Sequence, residues 1–161
     1  MPTSAKSEVK NWFMQGNVAL AYHCKLFNAA LKSAVDWQHA TSKLTGFQTI
    51  NSINHLYTFT NQWSLPWNMV IDTDLTYYVR SGYADHSMNS GEWIWNMAVA
   101  KRMLKSKALS LKLSGHDILA QRRSIVRTLN AQGRTETWHN VVPRYFMLSL
   151  VYHFSKSPRK E

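Results

Sequence analysis

One cysteine, Cys24, stands in a chain of 161 residues, which excludes an intramolecular disulfide and leaves no cysteine-based zinc spacing. Long apolar runs are missing too. No stretch reaches the ~20 residues that a bilayer-spanning helix requires, so the chain is either soluble or crosses a membrane as strands. Acidic residues are scarce: 9 Asp and Glu stand against 19 Lys and Arg, for a formal charge of +10, a balance that favours anionic partners. The N-terminal MPTSAKSEVKNWF lacks the apolar h-region of about 7–15 residues that a secretory signal carries. The seven histidines form no HxH or HExxH spacing, and neither GxSxG nor a phosphate-cradling glycine loop occurs. No metal, no cofactor and no enzymatic activity are therefore expected.

What the chain does have is period-two alternation. In WNMVIDTDLTYYVR, the residues Trp67, Met69, Ile71, Thr73, Leu75, Tyr77 and Val79 share one parity, while Asn68, Asp72, Asp74, Thr76 and Arg80 occupy the other. A helix would set Asp72 and Asp74 about 200° apart and smear the apolar residues around its cylinder, so a strand is expected. Val18, Leu20, Tyr22, Cys24 and Leu26 give the same signal, as do Leu31, Val35 and Trp37. So do Ile53, Tyr57, Phe59 and Trp63, interrupted by His55 and Asn61. Trp93, Trp95, Met97, Val99 and Met103 follow, then Leu109, Leu111 and Leu113, and finally Phe146, Leu148, Leu150, Tyr152 and Phe154. Seven strands result. Residues 6–14, with Val9, Asn11 and Phe13, offer a poorly alternating eighth, so residues 1–15 are set apart from a strand-and-loop region over 16–154 and a basic tail over 155–161.

Short connections are expected near residues 27–28, 64–66 and 105–107, and long polar ones near 39–47, 81–92 and 118–142. Their strict alternation along an antiparallel meander trims one end of the sheet and loads the other, the asymmetry of transmembrane β-barrels. Several runs extend over about 10–14 residues, beyond the ~5–6 of globular strands and enough for the ~9–11 that span a bilayer at a tilt. Trp37, Trp63, Trp67, Trp93, Trp95, Tyr152 and Phe154 gather near strand ends, where girdles sit. Alternation alone does not distinguish lipid from a protein interior. A soluble antiparallel β-sandwich that binds anionic ligands is the alternative.

The stretches SLPWNM, DLTYYVRSGYADHSMN, WIWNMAVAKRMLKSKALSLKL, HDIL, AQGRTETW and PRYFMLSLVYHF, in that order, resemble the C-terminal portion of TonB-dependent-receptor-like outer-membrane β-barrels of Gram-negative bacteria. The likeness covers about residues 16–155. It implies an all-β antiparallel up-and-down meander of about 7–8 long strands, part of a larger transmembrane barrel in the bacterial outer membrane, with a receptor or transport role. No plug and no energy-coupling box is recognised, and the odd strand count is unusual for a bacterial barrel. The chain is accordingly expected to be the end of a longer protein. Phe154 resembles the terminal aromatic that the barrel-assembly machinery reads on a last strand.

On this footing Trp67, Met69, Ile71, Leu75, Leu111, Leu113, Leu148, Leu150, Tyr152 and Phe154 are expected to face lipid. If Leu111 meets the bilayer midplane, an arginine there costs about 2–4 kcal/mol. Arg122, Arg123, Arg127, Arg134 and Arg144 mark a possible anion-binding loop, since guanidinium groups bind phosphate bidentately and phosphorylated lipopolysaccharide lies outside; a solvated loop surface is the plainer account. Asp72 and Asp74 share a face about 7 Å apart. Ion pairing with lumen Lys or Arg is a better expectation for them than acid–base catalysis. The aromatics lie on the apolar parity and not among the basic residues, which argues against nucleic acid. Expected partners are outer-membrane lipid, lipopolysaccharide, the assembly machinery and the remainder of a larger barrel or plug.

Overall fold

The computed structural model describes residues 8–43, 49–104, 108–123, 125–130 and 133–154, with backbone alone for 125–130 and 133–134. Seven strands form one antiparallel sheet: β1 (Val9–His23), β2 (Phe27–Ser42), β3 (Ile50–Leu65), β4 (Met69–Ser81), β5 (Ser90–Met103), β6 (Leu109–His116) and β9 (Tyr145–Tyr152). Each pairs with its predecessor in the meander, and β9 pairs with β6. The wall is all-β and one sheet thick. Among the described residues β1 pairs only with β2 and β9 only with β6, so the sheet is open.

Two elements differ from the expectation. Residues 9–14 are no eighth strand but the upper part of β1, whose 15 residues run without a break. Apolar side chains fall on both parities there, Trp12 and Met14 on one and Val9 and Phe13 on the other, so the period-two signal cancels. The register settles it by pairing Trp12 with His39 and Met14 with Trp37. Within the expected loop 118–142, a separate hairpin forms from β7 (Ile125–Asn130) and β8 (Gly133–Trp138). Its strands are only 6 residues each, too short for alternation to stand out.

Strand ends reflect local chemistry. Pro66 cannot donate to a ladder, and Trp67 and Asn68 follow it at positive φ, 63° and 58°, turning the chain between β3 and β4. Trp67 thus belongs to the turn and not to β4. At the other end Gly82 closes β4 at φ +80°, where a Cβ would meet the Asn51 carbonyl; only glycine fits so close an approach. Past it, Tyr83 and Asn89 bridge the β4–β5 loop with two hydrogen bonds of 3.0 Å, and Asp85 accepts from the Ser87 N–H at 2.9 Å. Asp117, at φ 47°, turns the chain out of β6.

Little of this is a core. The buried apolar residues among those described are Ala40, Ile50, Met88 and Ala98. A full core side chain contributes about 1.5–3 kcal/mol on burial, and this set is too small to hold a sheet of this size by itself. Ladder hydrogen bonds carry the sheet, while its largest apolar side chains, among them Trp12, Leu20, Leu148 and Leu150, remain exposed.

Candidate functional site

The registers sort the side chains into two faces, because residues directly opposite each other in neighbouring strands point the same way. On one face Leu20, Leu31, Phe59, Leu75 and Trp95 form a row across five strands. Below it Phe27, Trp63, Ile71, Val99, Leu113 and Leu148 form a second, and Met69, Lys101, Leu111 and Leu150 a third. The opposite face is polar, with Thr60, Asp74 and Asn96 in one row and Asn28, Gln62, Asp72, Ala98 and Ser114 in the next. Of the residues expected to face lipid, Met69, Ile71, Leu75, Leu111, Leu113, Leu148, Leu150 and Tyr152 all lie on the apolar face. Trp67 stands in its turn at 77% exposure, and Phe154 lies just past β9 with its ring edge-on to Tyr152, centroids 4.5 Å apart.

Height along the wall follows from the turns. The β1–β2 turn closes beside the Trp63–Ile71 row, the β3–β4 turn two residues lower at Leu65–Met69, and the β5–β6 turn two lower again at Met103–Leu109. Two residues of rise against two strand spacings correspond to a tilt of about 35° if the turns are level, the value of closed barrels. Measured from those turns, Leu111 lies ~5 Å up, Leu113 ~11 Å, Leu75 ~16 Å, and Tyr57 and Tyr77 ~22 Å.

Aromatic rings mark both ends of this scale. At the turn end Tyr22, Phe27 and Trp63 are in sequence, with centroids 6.4 and 4.4 Å apart. Higher up Tyr77 stacks on Trp93 at 4.1 Å, with planes 16° apart. The two levels are roughly 20 Å apart, close to the ~25 Å apolar band of a membrane barrel. Removing Tyr77 and Trp93 singly and together should return a coupling of about 0.5–1.5 kcal/mol in a double-mutant unfolding cycle; additive losses would show that the stack contributes only area. Lys101 breaks the apolar parity, but at the height of Leu111 its stem can lie along the wall and carry its ammonium to the turn-side boundary.

The polar face is arranged by amides. Gln62 Nε2 donates to Asp72 Oδ1 at 2.8 Å, and Asn96 Nδ2 to Asp74 Oδ1 at 3.4 Å. The expected Lys or Arg partners are not there, since the register sets an amide opposite each carboxylate, while Lys112 on β6 stands two strands from Asp72 and Lys32 on β2 two strands from Asp74, each a row off. At the long-loop end Arg123 Nε pairs with Glu92 Oε1 at 3.3 Å. Over Ala30 and Ala98 the polar face sinks into a cavity of about 440 Å³, bordered by Asp72, Asp74, Lys112 and Ser114. Ser114 and Gln62 carry no motif. Their membership of the site shows in the sequence only as the polar parity between apolar residues.

The arginines divide. Arg122 and Arg123 follow the Asp117 turn, and Arg144 donates from Nη1 to the Ile118 carbonyl at 3.2 Å. Arg123 is held by Glu92 and Arg144 by that carbonyl, so two of the three act as struts at the long-loop end. Arg127 and Arg134 lie on β7 and β8, where their side chains fall outside the described residues.

A tilted antiparallel wall, apolar on one side, polar on the other and ringed by aromatics at two heights, is the build of a membrane β-barrel. The chain belongs to the outer membrane protein beta-barrel family, whose model matches residues 4–152. No curated protein and no solved structure matches it significantly.

Proposed function

We propose that the chain forms part of the wall of a receptor- or transport-type barrel, akin to the TonB-dependent receptors, in a Gram-negative outer membrane, and that it is not an enzyme. One observation carries the membrane-wall part of this: the apolar face has no protein layer over it among the described residues, with Leu20, Leu148 and Leu150 about two-thirds exposed. A sandwich would cover such a face with a second sheet. Hydrocarbon is the remaining solvent for it. The polar face then lines the lumen, the long connections and the β7–β8 hairpin face outside toward ligands or lipopolysaccharide, and β9 with Phe154 ends on the periplasmic side, within reach of the assembly machinery.

Strand direction adds a constraint. β1 and β9 both run from the long-loop end to the turn end, seven strands being odd, so pairing them directly would be parallel. Closure in the antiparallel manner of outer-membrane barrels requires an odd number of further strands between them. A larger barrel, with or without a plug in its lumen, supplies that arrangement.

Expression without detergent tests the reading. Inclusion bodies that regain structure only in detergent or lipid are expected. A monodisperse soluble monomer with cooperative thermal unfolding would overturn it.

A further inference from the structure

The cavity on the polar face has an unspent preference for positive charge. Each carboxylate has up to four acceptor sites, yet Asp72 and Asp74 receive one neutral amide donor apiece, and neither forms an ion pair among the described residues. Asn96 is held in this orientation, since its Oδ1 accepts from the Asp117 N–H at 3.0 Å. Ser114, on the same cavity wall, is 3% exposed and its Oγ has no hydrogen-bond partner among the described residues. A buried hydroxyl without a partner is uncommon and calls for an explanation.

The register supplies the geometry. Asp72, Ala98 and Ser114 are consecutive in one row, so Asp72 and Ser114 are two strand spacings apart, roughly 10 Å between Cα atoms, with only a methyl group between them. A small group resting over Ala98 reaches the Asp72 carboxylate on one side and the Ser114 hydroxyl on the other. We propose that this cavity binds a single compact nitrogen cation, an alkylammonium or alkylguanidinium group, with Asp72 and Asp74 supplying charge and Ser114 Oγ accepting an N–H. Lys112 on the same wall opposes a second positive charge and limits the ligand to one. The group arrives either on a free small molecule or as a Lys or Arg side chain of a polypeptide within the lumen. The inference rests on the polar face being the lumen.

The test uses the full chain folded in detergent micelles, with n-butylammonium, methylguanidinium and a blocked Gly-Gly-Arg-Gly-Gly peptide as probes, and binding read by ligand-observed NMR. At least one probe is expected to bind, with affinity falling tenfold or more in Asp72→Asn/Asp74→Asn and severalfold in Ser114→Ala. Preference for the small cations assigns a free ligand, and preference for the peptide assigns a side chain. Folding of each variant is checked by heat-dependent gel migration; if the double variant fails it, Ala98→Leu, which fills the floor, is expected to abolish binding instead. No binding of any probe, or equal binding by the variants, overturns the site. In a Cys24→Ser background, Thr60→Cys in liposomes should react with a water-soluble maleimide. Labelling without cation binding sinks the site alone, whereas an unlabelled cysteine sinks the lumen assignment and the site with it.

Discussion

Leu75→Arg is expected to destabilise the folded chain in a bilayer by about 2–4 kcal/mol, the cost of a guanidinium at the midplane of a barrel's lipid face. Leu75 lies on the apolar face six residues above the first residue of β4, ~16 Å from the turn end at the tilt the turns imply, between Phe59 and Trp95. Neither boundary is within easy reach of an arginine there. Leu111→Arg should cost only about 0–1 kcal/mol, because Leu111 is two residues above the start of β6 and the penalty fades toward the interface. Lys101, directly opposite Leu111, already holds a cation at that height. Thr76→Arg, on the polar face, should stay within about 0.5 kcal/mol. Reversible denaturant unfolding in liposomes measures all three. Equal losses at Leu75 and Leu111 would remove the depth scale, and an equal loss at Thr76 would remove the two-faced wall.

That contrast also separates what the sequence discloses from what it does not. Face is legible, since a strand repeats every two residues and one solvent sees each parity; Met69, Ile71 and Leu75, or Leu109, Leu111 and Leu113, are assigned by counting. Depth is not, because it depends on the stagger between strands, and stagger is set by which residues pair. Leu111 looks like a midplane residue until its register with Lys101 is known. Partner choice on the polar face is hidden for the same reason: Asp72 and Asp74 invite basic partners in isolation, and receive Gln62 and Asn96 because those residues lie opposite. The pattern also fails where both parities are apolar, as at Trp12 and Phe13, and where strands are too short to display a period, as in β7 and β8. The charge in the 120–144 segment was visible, whereas the fixing of Arg123 by Glu92 depends on a contact 31 residues away in the chain.

Asp117→Ala is expected to cost about 3 kcal/mol and to loosen the upper half of β5 selectively. β6 pairs with β5 only as far as Gly115 and Met97, which leaves the higher residues of β5 without a strand on that side. The segment after Asp117 fills the gap: the Ile118 N–H donates to the Trp95 carbonyl at 2.9 Å, and Gln121 Oε1 accepts from the Trp93 N–H at 2.9 Å. Asp117 holds this segment in place. Its carboxylate, in a residue 4% exposed, accepts from the Gln121 and Arg122 N–H groups at 3.1 and 3.2 Å, and its carbonyl accepts from Ala120 at 2.8 Å. Alanine would strand two backbone donors at about 1–3 kcal/mol each if they stay dry, and at φ 47° it lacks the tolerance of Asp and Asn for that conformation. Asp117→Asn keeps one acceptor and suits the backbone, so about 1 kcal/mol is expected. Hydrogen exchange locates the effect: in Asp117→Ala the amides of Trp93 and Ile118 should lose protection while that of Leu75 keeps it. Uniform loss across the sheet would mean that the turn is part of the global unit, and unchanged protection at Trp93 would mean that it guards no edge.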